Sequence, residues 1–213
     1  MLRSLSATAG SLALFAVACS GASSSAEPDA SAAPASDAPL KQGAARAPDN
    51  QQFAYFAGGC FWGVEHFLEK IDGVHEVDSG YMGGTKDSPT YDDVLTHATG
   101  HLEAVRVRYD PAKVTYRALA KRFFEIHDPT QADGQGPDIG NQYLSAVFYV
   151  DGSQKEDAEA LIGILRDRGY DVATTLRPAD DFWKAEGYHQ DYYAKTGKVP
   201  YCHTPVPRFG DAE

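Results

Sequence analysis

The chain has 213 residues, of which 43% are hydrophobic and 11% aromatic, enough apolar material for one well-packed domain. Its formal net charge of −11 argues against non-specific nucleic-acid binding and against a basic membrane-binding patch. The three cysteines, Cys19, Cys60 and Cys202, are too few and too scattered for a disulfide scaffold, and they form no CxxC pair of the zinc or thioredoxin type. We therefore expect these thiols to have a chemical role.

Residues 1–18 are typical of a signal peptide. Arg3 precedes a short apolar run over 12–18, which is too short to span a bilayer. The run ends in small residues before Cys19 and is similar to a bacterial lipoprotein cleavage box, although Ala16 stands where a larger aliphatic residue is more usual. Lipidation of Cys19 and plain cleavage near Ala18 both stay open, and both predict an exported protein.

Residues 19–50 are predicted to form a disordered tether. They are rich in Ala, Ser, Pro and Asp and contain few large apolar side chains, so they cannot bury enough surface to fold. If Cys19 is lipidated, about thirty loose residues would hold a soluble domain near a membrane without embedding it. The chain is thus divided into a signal peptide (1–18), a tether (19–50) and one folded domain (51–213).

Strand-like and helix-like patterns alternate through the folded domain. Strands are predicted over 53–56, 74–81, 101–109, 143–150 and 172–176. Helices are predicted over 61–71, from Thr90, from Thr115 to His127, from a capping box at 153–156 to about Arg168, and over 187–196. A polar, glycine-rich loop over 128–142 and a coil up to Glu213 complete the domain.

Four or five strands with hairpin-like pairs favour an α+β fold over a doubly wound sheet. We expect a two-layer sheet-and-helix sandwich with a ferredoxin-like core and a long coil C-terminal tail. No GxGxxG follows a strand, and the sequence has no GxxxxGK[ST], so nucleotide chemistry has no support.

The strongest chemical signal is the stretch FAGGCFWGVE at 56–65. An aromatic-rich strand runs into two glycines, and helical spacing follows, which puts Cys60 at the first turn of a helix. Free backbone N–H groups and the helix dipole stabilise a thiolate there. Phe61 and Trp62 would form an apolar clamp beside it. The alternative is a buried structural cysteine next to core aromatics, since buried free cysteines are common.

Glu103 lies on the apolar face of the predicted strand over 101–109. It shares that face with Val105, Val107 and Tyr109, because side chains alternate along a strand. Burial would keep its carboxyl protonated and available as a proton donor. The alternative is an exposed glutamate at the end of the strand.

Other candidate residues are weaker on pattern alone. Asp138 is typical of a turn, and Tyr91 and Tyr143 are typical of core packing. Cys202 lies in a predicted mobile coil, where it could reach another thiol, although an exported protein also permits a permanent Cys60–Cys202 disulfide. The seven histidines form no HExxH motif, so we expect no bound metal.

Seven short motifs occur in the order found in the type A peptide methionine sulfoxide reductases, which the chain resembles over residues 52–203. They are GCFWG at 59–63, GYMGG at 80–84, PTY at 89–91, GHLEAV at 100–105, HDPT at 127–130, NQY at 141–143 and HQDY at 189–192. The resemblance does not extend to the first fifty residues.

The resemblance implies a role for each sulfur and for the aromatic clamp. Cys60 would be the nucleophile, and Phe61 and Trp62 would hold the S-methyl group of the substrate. Cys202 would be the recycling cysteine. Because no further C-terminal cysteine is present, the Cys60–Cys202 disulfide itself would be presented to the reductant.

The resemblance also implies how the sulfoxide oxygen is handled. Glu103 would donate a proton to it, and Tyr91 and Tyr143 would hydrogen-bond it, with Asp138 in the surrounding network. Such donors are what an electrophilic sulfoxide sulfur requires, because charge develops on the oxygen during thiolate attack.

The activity implied by the resemblance is the reduction of methionine S-sulfoxide in oxidised proteins or peptides. A sulfenic acid on Cys60 would become the Cys60–Cys202 disulfide, which a thioredoxin-like dithiol reopens. No flavin, metal or nucleotide would be bound. We expect a monomer that repairs exported proteins in the periplasm or from a membrane anchor. An exported binding module with a structural Cys60–Cys202 disulfide is the alternative. A thiol peroxidase would leave the aromatic clamp without a purpose.

Overall fold

A mixed sheet flanked by helices is the framework of the protein, known here from a computed structural model that describes residues 40–42 and 50–210. The strands are β1 (Leu40–Gln42), β2 (Gln52–Gly58), β3 (Val74–Met82), β4 (Leu102–Tyr109), β5 (Gly134–Gln135), β6 (Asp138–Ile139), β7 (Ser145–Tyr149), β8 (Thr175–Pro178) and β9 (Phe182–Lys184). The helices are α1 (Phe61–Leu68), α2 (Tyr91–Leu95), α3 (Tyr116–Ile126), α4 (Gly152–Asp167) and α5 (Tyr192–Thr196), with a 3₁₀ turn at Asn141–Tyr143.

Seven of the described strands form one sheet in the order β1-β9-β3-β4-β2-β7-β8, and β5 and β6 form a separate small hairpin. All neighbours in the large sheet are antiparallel except β7 and β8, which are parallel. The longest ladder joins β3 to β4 and sets Tyr81 opposite Glu103. The fold is therefore α+β, as predicted.

The two faces of the sheet differ in what covers them. On one face, Phe56, Val105 and Val107 pack against α1, α3 and α4 in the main hydrophobic core. The ring of Phe56 stacks on Phe123 of α3 with centroids 4.8 Å apart. Burial of one such side chain contributes about 1.5–3 kcal/mol. A smaller cluster that includes Tyr55 covers part of the other face.

Helix starts follow the predicted caps in two cases out of three. Thr90 and Asp93 form a capping box before α2, and Thr115 Oγ1 accepts the backbone N–H of Ala118 at the start of α3. The predicted capping box at 153–156 is wrong. Asp151 is the N-cap instead and accepts the N–H of Gln154 at 2.9 Å, because α4 begins two residues earlier than expected.

The structure has more strands than the four or five predicted. The predicted loop over 128–142 contains β5 and β6, the strand expected over 172–176 begins at Thr175, and β9 was not predicted at all. β9 has three residues, too few to show an alternating pattern. Leu40–Gln42 of the predicted tether pairs with β9, since a backbone ladder does not depend on large apolar side chains.

The remaining predictions for the N-terminal segment, including the signal peptide over 1–18 and lipidation of Cys19, lie outside the described residues. Within the described part of the chain, no helix combines the length and apolar character needed to cross a membrane.

The C-terminal residues 198–210 contain neither helix nor strand, yet they are fixed to the body of the protein. Arg208 donates hydrogen bonds to the carbonyls of Phe124 and Glu125 at 3.0 and 3.1 Å, and the N–H of Val206 donates to the same Glu125 carbonyl. These contacts satisfy carbonyls in the last turn of α3. Cys202 therefore lies in coil, as predicted, but it is buried rather than exposed to solvent.

Candidate active site

Cys60 lies where β2 passes into α1, as predicted, and it is the N-cap residue of the helix. The turn needs a glycine at position 59, where φ is +87°. A Cβ atom there would also lie 2.3 Å from Cβ of Gln135, so β5 can approach only because position 59 has no side chain. This turn sets the Cys60 sulfur beside the β5–β6 hairpin.

Glu103 is buried on the helix-covered face of β4, with 2% of its surface exposed, as the alternation predicts. Its Oε2 accepts the backbone N–H of Phe61 at 3.1 Å. Burial, followed by the field of Cys60, raises the pKa of Glu103 well above its ordinary value, and the Phe61 N–H offsets this only in part. Burial therefore favours the protonated form of the carboxyl, and the exposed alternative is wrong.

The two cysteines of the domain are neighbours in space although 142 positions separate them in sequence. Sγ of Cys60, Sγ of Cys202 and a carboxylate oxygen of Asp138 all lie within 4.8 Å of one another. Both cysteines are buried free thiols, 6% and 7% exposed. The two sulfurs are thus close enough for a disulfide to form with a small local movement.

The expected stabilised thiolate at Cys60 is not found. A hydrogen bond with Cys202, followed by burial, raises the pKa of the Cys60 thiol above its ordinary value. The N–H of Trp62 at the start of α1 acts in the opposite direction but is the weaker influence. The second thiol and the burial of the site therefore affect the pKa of Cys60 more than the helix terminus does, and Cys60 is protonated.

Tyr91 and Tyr143 face the same site as Cys60 and Glu103. Burial, followed by the nearby Glu103, raises the pKa of both phenols, that of Tyr91 to about 12. The two phenols also lie close enough for each to affect the pKa of the other. Both are neutral at physiological pH, so each keeps an O–H that it can donate.

Asp138 on β6 is tied to the C-terminal segment. The hydroxyl of Tyr201 donates to its two carboxylate oxygens at 3.1 and 3.2 Å. This contact brings the residue just before Cys202 against the β5–β6 hairpin. Sequence patterns did not single out Tyr201, which would pass as an ordinary tail residue.

Phe61 and Trp62 form an apolar wall beside Cys60. Phe61 is buried, and Trp62 is half-buried. The indole of Trp62 stacks on Tyr192 of α5 with centroids 3.7 Å apart and planes 7° from parallel, and its Nε1–H donates to Nδ1 of His189 at 3.2 Å. The indole is therefore fixed on one face and at its polar edge.

Glu186 binds two tyrosines of the site, Tyr81 and Tyr91, and the sequence analysis did not identify it. Its Oε1 accepts the backbone N–H of Tyr91 and its Oε2 accepts the hydroxyl of Tyr81, both at 2.8 Å. Burial lowers the pKa of the adjacent His189 to about 4, so the imidazole is neutral when it accepts from Trp62. No periodicity marks Glu186, and the HQDY motif alone gave His189 no role.

The structure thus brings together eight of the sequence-predicted site residues: Cys60, Phe61, Trp62, Tyr91, Glu103, Asp138, Tyr143 and Cys202. Cys19 lies outside the described residues. The expectation that the chain binds no metal stays a prediction. Chemically, the cluster offers a thiol, a neutral acid, two phenols and a second thiol against an aromatic wall.

Comparison with known proteins agrees with the family resemblance found in the sequence. The family model described as peptide methionine sulfoxide reductase matches residues 52–212. The peptide methionine sulfoxide reductase MsrA of Nautilia profundicola is 46% identical over 149 residues, which cover 70% of this chain and 86% of that protein.

Solved structures with a similar fold include two of Mxr1 from Saccharomyces cerevisiae. The reduced form is 34% identical with a TM-score of 0.71, covering 76% of this chain and 95% of that one. The complex with Trx2 is 22% identical with a TM-score of 0.51, covering 76% of this chain and 94% of that one, a likeness that shows the fold alone. The chain therefore belongs to the peptide methionine sulfoxide reductase family and is an oxidoreductase of the MsrA type.

Proposed function

We propose that the chain reduces methionine S-sulfoxide, in peptides and as the free amino acid, with Cys60 as the nucleophile. The observation that carries this proposal is the convergence of a buried, protonated Glu103 and a pair of neutral phenols on the Cys60 sulfur. A sulfoxide accepts a nucleophile at sulfur only when its oxygen is protonated or strongly hydrogen-bonded. The aromatic wall of Phe61 and Trp62 suits an apolar S-methyl group.

The first step transfers the sulfoxide oxygen to Cys60. The Cys60 sulfur attacks the sulfoxide sulfur while the Glu103 carboxyl gives its proton to the oxygen, and the thiol proton of Cys60 returns to the Glu103 carboxylate. Tyr91 and Tyr143 donate hydrogen bonds to the oxygen as charge develops. The bond between the two sulfurs then breaks as the hydroxyl group passes to the Cys60 sulfur, which leaves methionine and a sulfenic acid on Cys60. The Cys60 sulfur loses the two electrons that the methionine sulfur gains.

The second step restores the enzyme through Cys202. Its sulfur displaces the hydroxyl of the Cys60 sulfenic acid, which leaves as water, and a Cys60–Cys202 disulfide remains. The separation of at most 4.8 Å between the two sulfurs supports this step. A thioredoxin-like dithiol then reopens the disulfide, and the Mxr1–Trx2 complex is an example of such a pairing in a protein of the same fold. The cycle needs no bound cofactor.

A binding module with a structural Cys60–Cys202 disulfide is the second candidate, and the burial of both cysteines favours it. It leaves the buried acid and the paired phenols without a purpose. The two candidates are separated by counting thiols before and after a mild dithiol reductant, together with assays on peptides carrying S- or R-methionine sulfoxide. Reducible thiols and release of methionine from the S epimer support the reductase, whereas a resistant disulfide and no methionine support the module.

Export is a further part of the proposal. Signal cleavage before Cys19 and its lipidation would hold the enzyme at a membrane outside the cytoplasm, where it would repair oxidised exported proteins. The lipoprotein-like run that ends at Cys19 supports this. Mass spectrometry of the mature N-terminus decides it, because a lipid-bearing Cys19 agrees with an anchor, whereas an unmodified N-terminus at residue 19 or beyond does not.

The core of the sheet also supports the ferredoxin-like description. In chain order β2, α1, β3, β4, α3 and β7 make a βαββαβ unit, and its strands lie in the order β7-β2-β4-β3 with every neighbouring pair antiparallel.

We also propose that the protein is a monomer, to be tested by light scattering of the purified chain.

A further inference from the structure

The residue after Cys202 is a buried histidine whose two ring nitrogens have different partners. His203 is 3% exposed. Its Nδ1 lies 3.0 Å from Sγ of Cys202, and its Nε2 lies 2.7 Å from the carbonyl oxygen of Gly58. The same imidazole therefore contacts the second thiol of the site and the last residue of β2.

The Gly58 carbonyl fixes the tautomer of this ring. A carbonyl oxygen can only accept a hydrogen bond, so Nε2 must carry the hydrogen. In a neutral imidazole Nδ1 is then an acceptor, and the thiol of Cys202 donates to it. Burial lowers the pKa of His203 to about 4, so the ring is neutral at physiological pH and its lone pair faces the Cys202 proton.

The position of the ring is fixed by the helix that carries Cys60. A Cβ atom at Gly63 would lie 2.1 Å from Nδ1 of His203, so the imidazole packs directly on the bare backbone of α1. This contact gives the glycine of the GCFWG motif a physical reason in this chain. It also holds His203 close to the start of the helix at which Cys60 lies.

We propose that His203 is the general base for Cys202 in the disulfide-forming step. This inference rests on the function proposed above. As the Cys202 sulfur attacks the Cys60 sulfenic acid, its proton moves to Nδ1 of His203, the S–O bond of Cys60 breaks, and the imidazolium returns the proton to the departing hydroxide, which leaves as water. The thiol sulfur of Cys202 and the sulfenic sulfur of Cys60 become one disulfide with no further oxidant, and His203 ends neutral.

The charged and titratable groups around His203 permit this transient charge. Asp138 of β6 favours the imidazolium, since its field raises the pKa of His203, although by less than burial lowers it. His127 at the end of α3 is neutral, because burial lowers its pKa to about 3. Cys60 at the start of α1 and Cys202 itself are the reacting groups. Both are free thiols in the structure, and Cys60 is an uncharged sulfenic acid when this step begins.

The inference is tested with single-turnover kinetics of the full reduced chain and a peptide carrying methionine S-sulfoxide, quenched in acid. Methionine released reports the first step, and loss of alkylatable thiol reports the disulfide. The variants are His203→Gln, whose side-chain amide can still donate to the Gly58 carbonyl, and His75→Gln, an exposed control on β3.

We expect His203→Gln to release one methionine at close to the normal rate and to form the disulfide about 100-fold more slowly or worse, as is typical for loss of a general base. Its disulfide rate should rise about tenfold per pH unit near neutrality, because the thiolate must then form by ionisation to solvent. Cys60 sulfenic acid should accumulate and react with dimedone. His75→Gln should match the wild-type protein in both steps.

Disulfide formation at the wild-type rate in His203→Gln would overturn the proposal, and so would a slower rate with an unchanged pH profile, which indicates a packing role. If the variant does not fold, the wild-type protein decides the matter, since its disulfide rate should be flat from about pH 6 to 8 with a neutral base in place. A tenfold rise of this rate per pH unit in that range would exclude His203 as the base.

If wild-type protein releases no methionine, the proposed function fails instead, and the disulfide step is then followed after oxidising Cys60 with hydrogen peroxide.

Discussion

The backbone N–H of Phe61 donates a hydrogen bond to Oε2 of Glu103 at 3.1 Å. This contact joins the first turn of α1 to the middle of the sheet, at the residue that follows Cys60. One oxygen of the carboxyl is thereby fixed, and the group is held next to the Cys60 sulfur in a buried position that raises the pKa of Glu103. The acid and the nucleophile are positioned by the same turn of helix.

Replacing Glu103 by Gln should slow the first step. The amide keeps the shape and can still accept from Phe61, but it cannot give a proton to the sulfoxide oxygen, and loss of a well-placed acid costs roughly 100- to 10,000-fold. The rate of methionine release in a single turnover measures this. Glu159→Gln, on the exposed face of α4, is the matched control and should behave as wild type. An unchanged rate in Glu103→Gln would reject Glu103 as the donor.

Replacing Cys202 by Ser should separate the two halves of the cycle. The variant should release about one methionine per enzyme and then stop in the presence of a dithiol reductant such as thioredoxin, because no disulfide can form. Quantifying methionine against enzyme over time checks this. Continued full turnover in Cys202→Ser would remove the recycling role from Cys202. Cys60→Ser should release no methionine at all.

The stability of the protein should depend on pH through Glu65. This glutamate of α1 is 1% exposed, and burial raises its pKa to about 8. The folded state then binds a proton that the unfolded state has lost above about pH 4.3, so the contribution is favourable in acid and is lost as pH rises toward 8, at up to about 1.4 kcal/mol per pH unit.

The measurement is the free energy of unfolding in urea between about pH 5 and pH 9 for wild type and Glu65→Gln. The difference between the two proteins should grow in favour of Glu65→Gln up to about pH 8 and then level off. A difference that stays constant across this range would contradict the raised pKa.

A buried ion pair on β3 and β4 should be costly to break. Asp78 accepts from Nε and Nη2 of Arg106 at 3.2 and 2.6 Å, both side chains are buried, and Lys184 contacts the other carboxylate oxygen. Asp78→Ala leaves Arg106 buried without its partner, which typically costs about 3–5 kcal/mol.

Asp157→Ala is the matched control, because Asp157 pairs with Arg117 at 3.5 Å on the surface and such pairs contribute at most about 1 kcal/mol. Urea unfolding of both variants compares the two costs. Equal losses in the two variants would show that the buried pair does not stabilise the fold as described.

Local patterns in the sequence predicted much of the site. The strand-to-helix turn at Cys60 follows from aromatic, glycine and helical spacing, and the burial of Glu103 follows from the two-residue period of a strand. These features depend on neighbours in sequence. The burial of Glu103 could be predicted without the rest of the chain, because it depends only on which face of β4 is apolar.

Long-range contacts could not be predicted in this way. Cys202 lies in a segment without periodicity, and only the contacts of Arg208 and Tyr201 with distant elements hold that segment in place. The pKa of Cys60 was predicted with the wrong sign because the sequence reveals the helix terminus but not the second thiol. Glu186 and His203 act through partners more than ninety positions away.

The most direct test of the central claim is peptide mapping by mass spectrometry of fully reduced protein after one turnover with a peptide carrying methionine S-sulfoxide. The account predicts one methionine per enzyme and a Cys60-containing peptide joined to a Cys202-containing peptide by a disulfide. Recovery of both cysteines as free thiols, with the sulfoxide peptide unchanged, would contradict it.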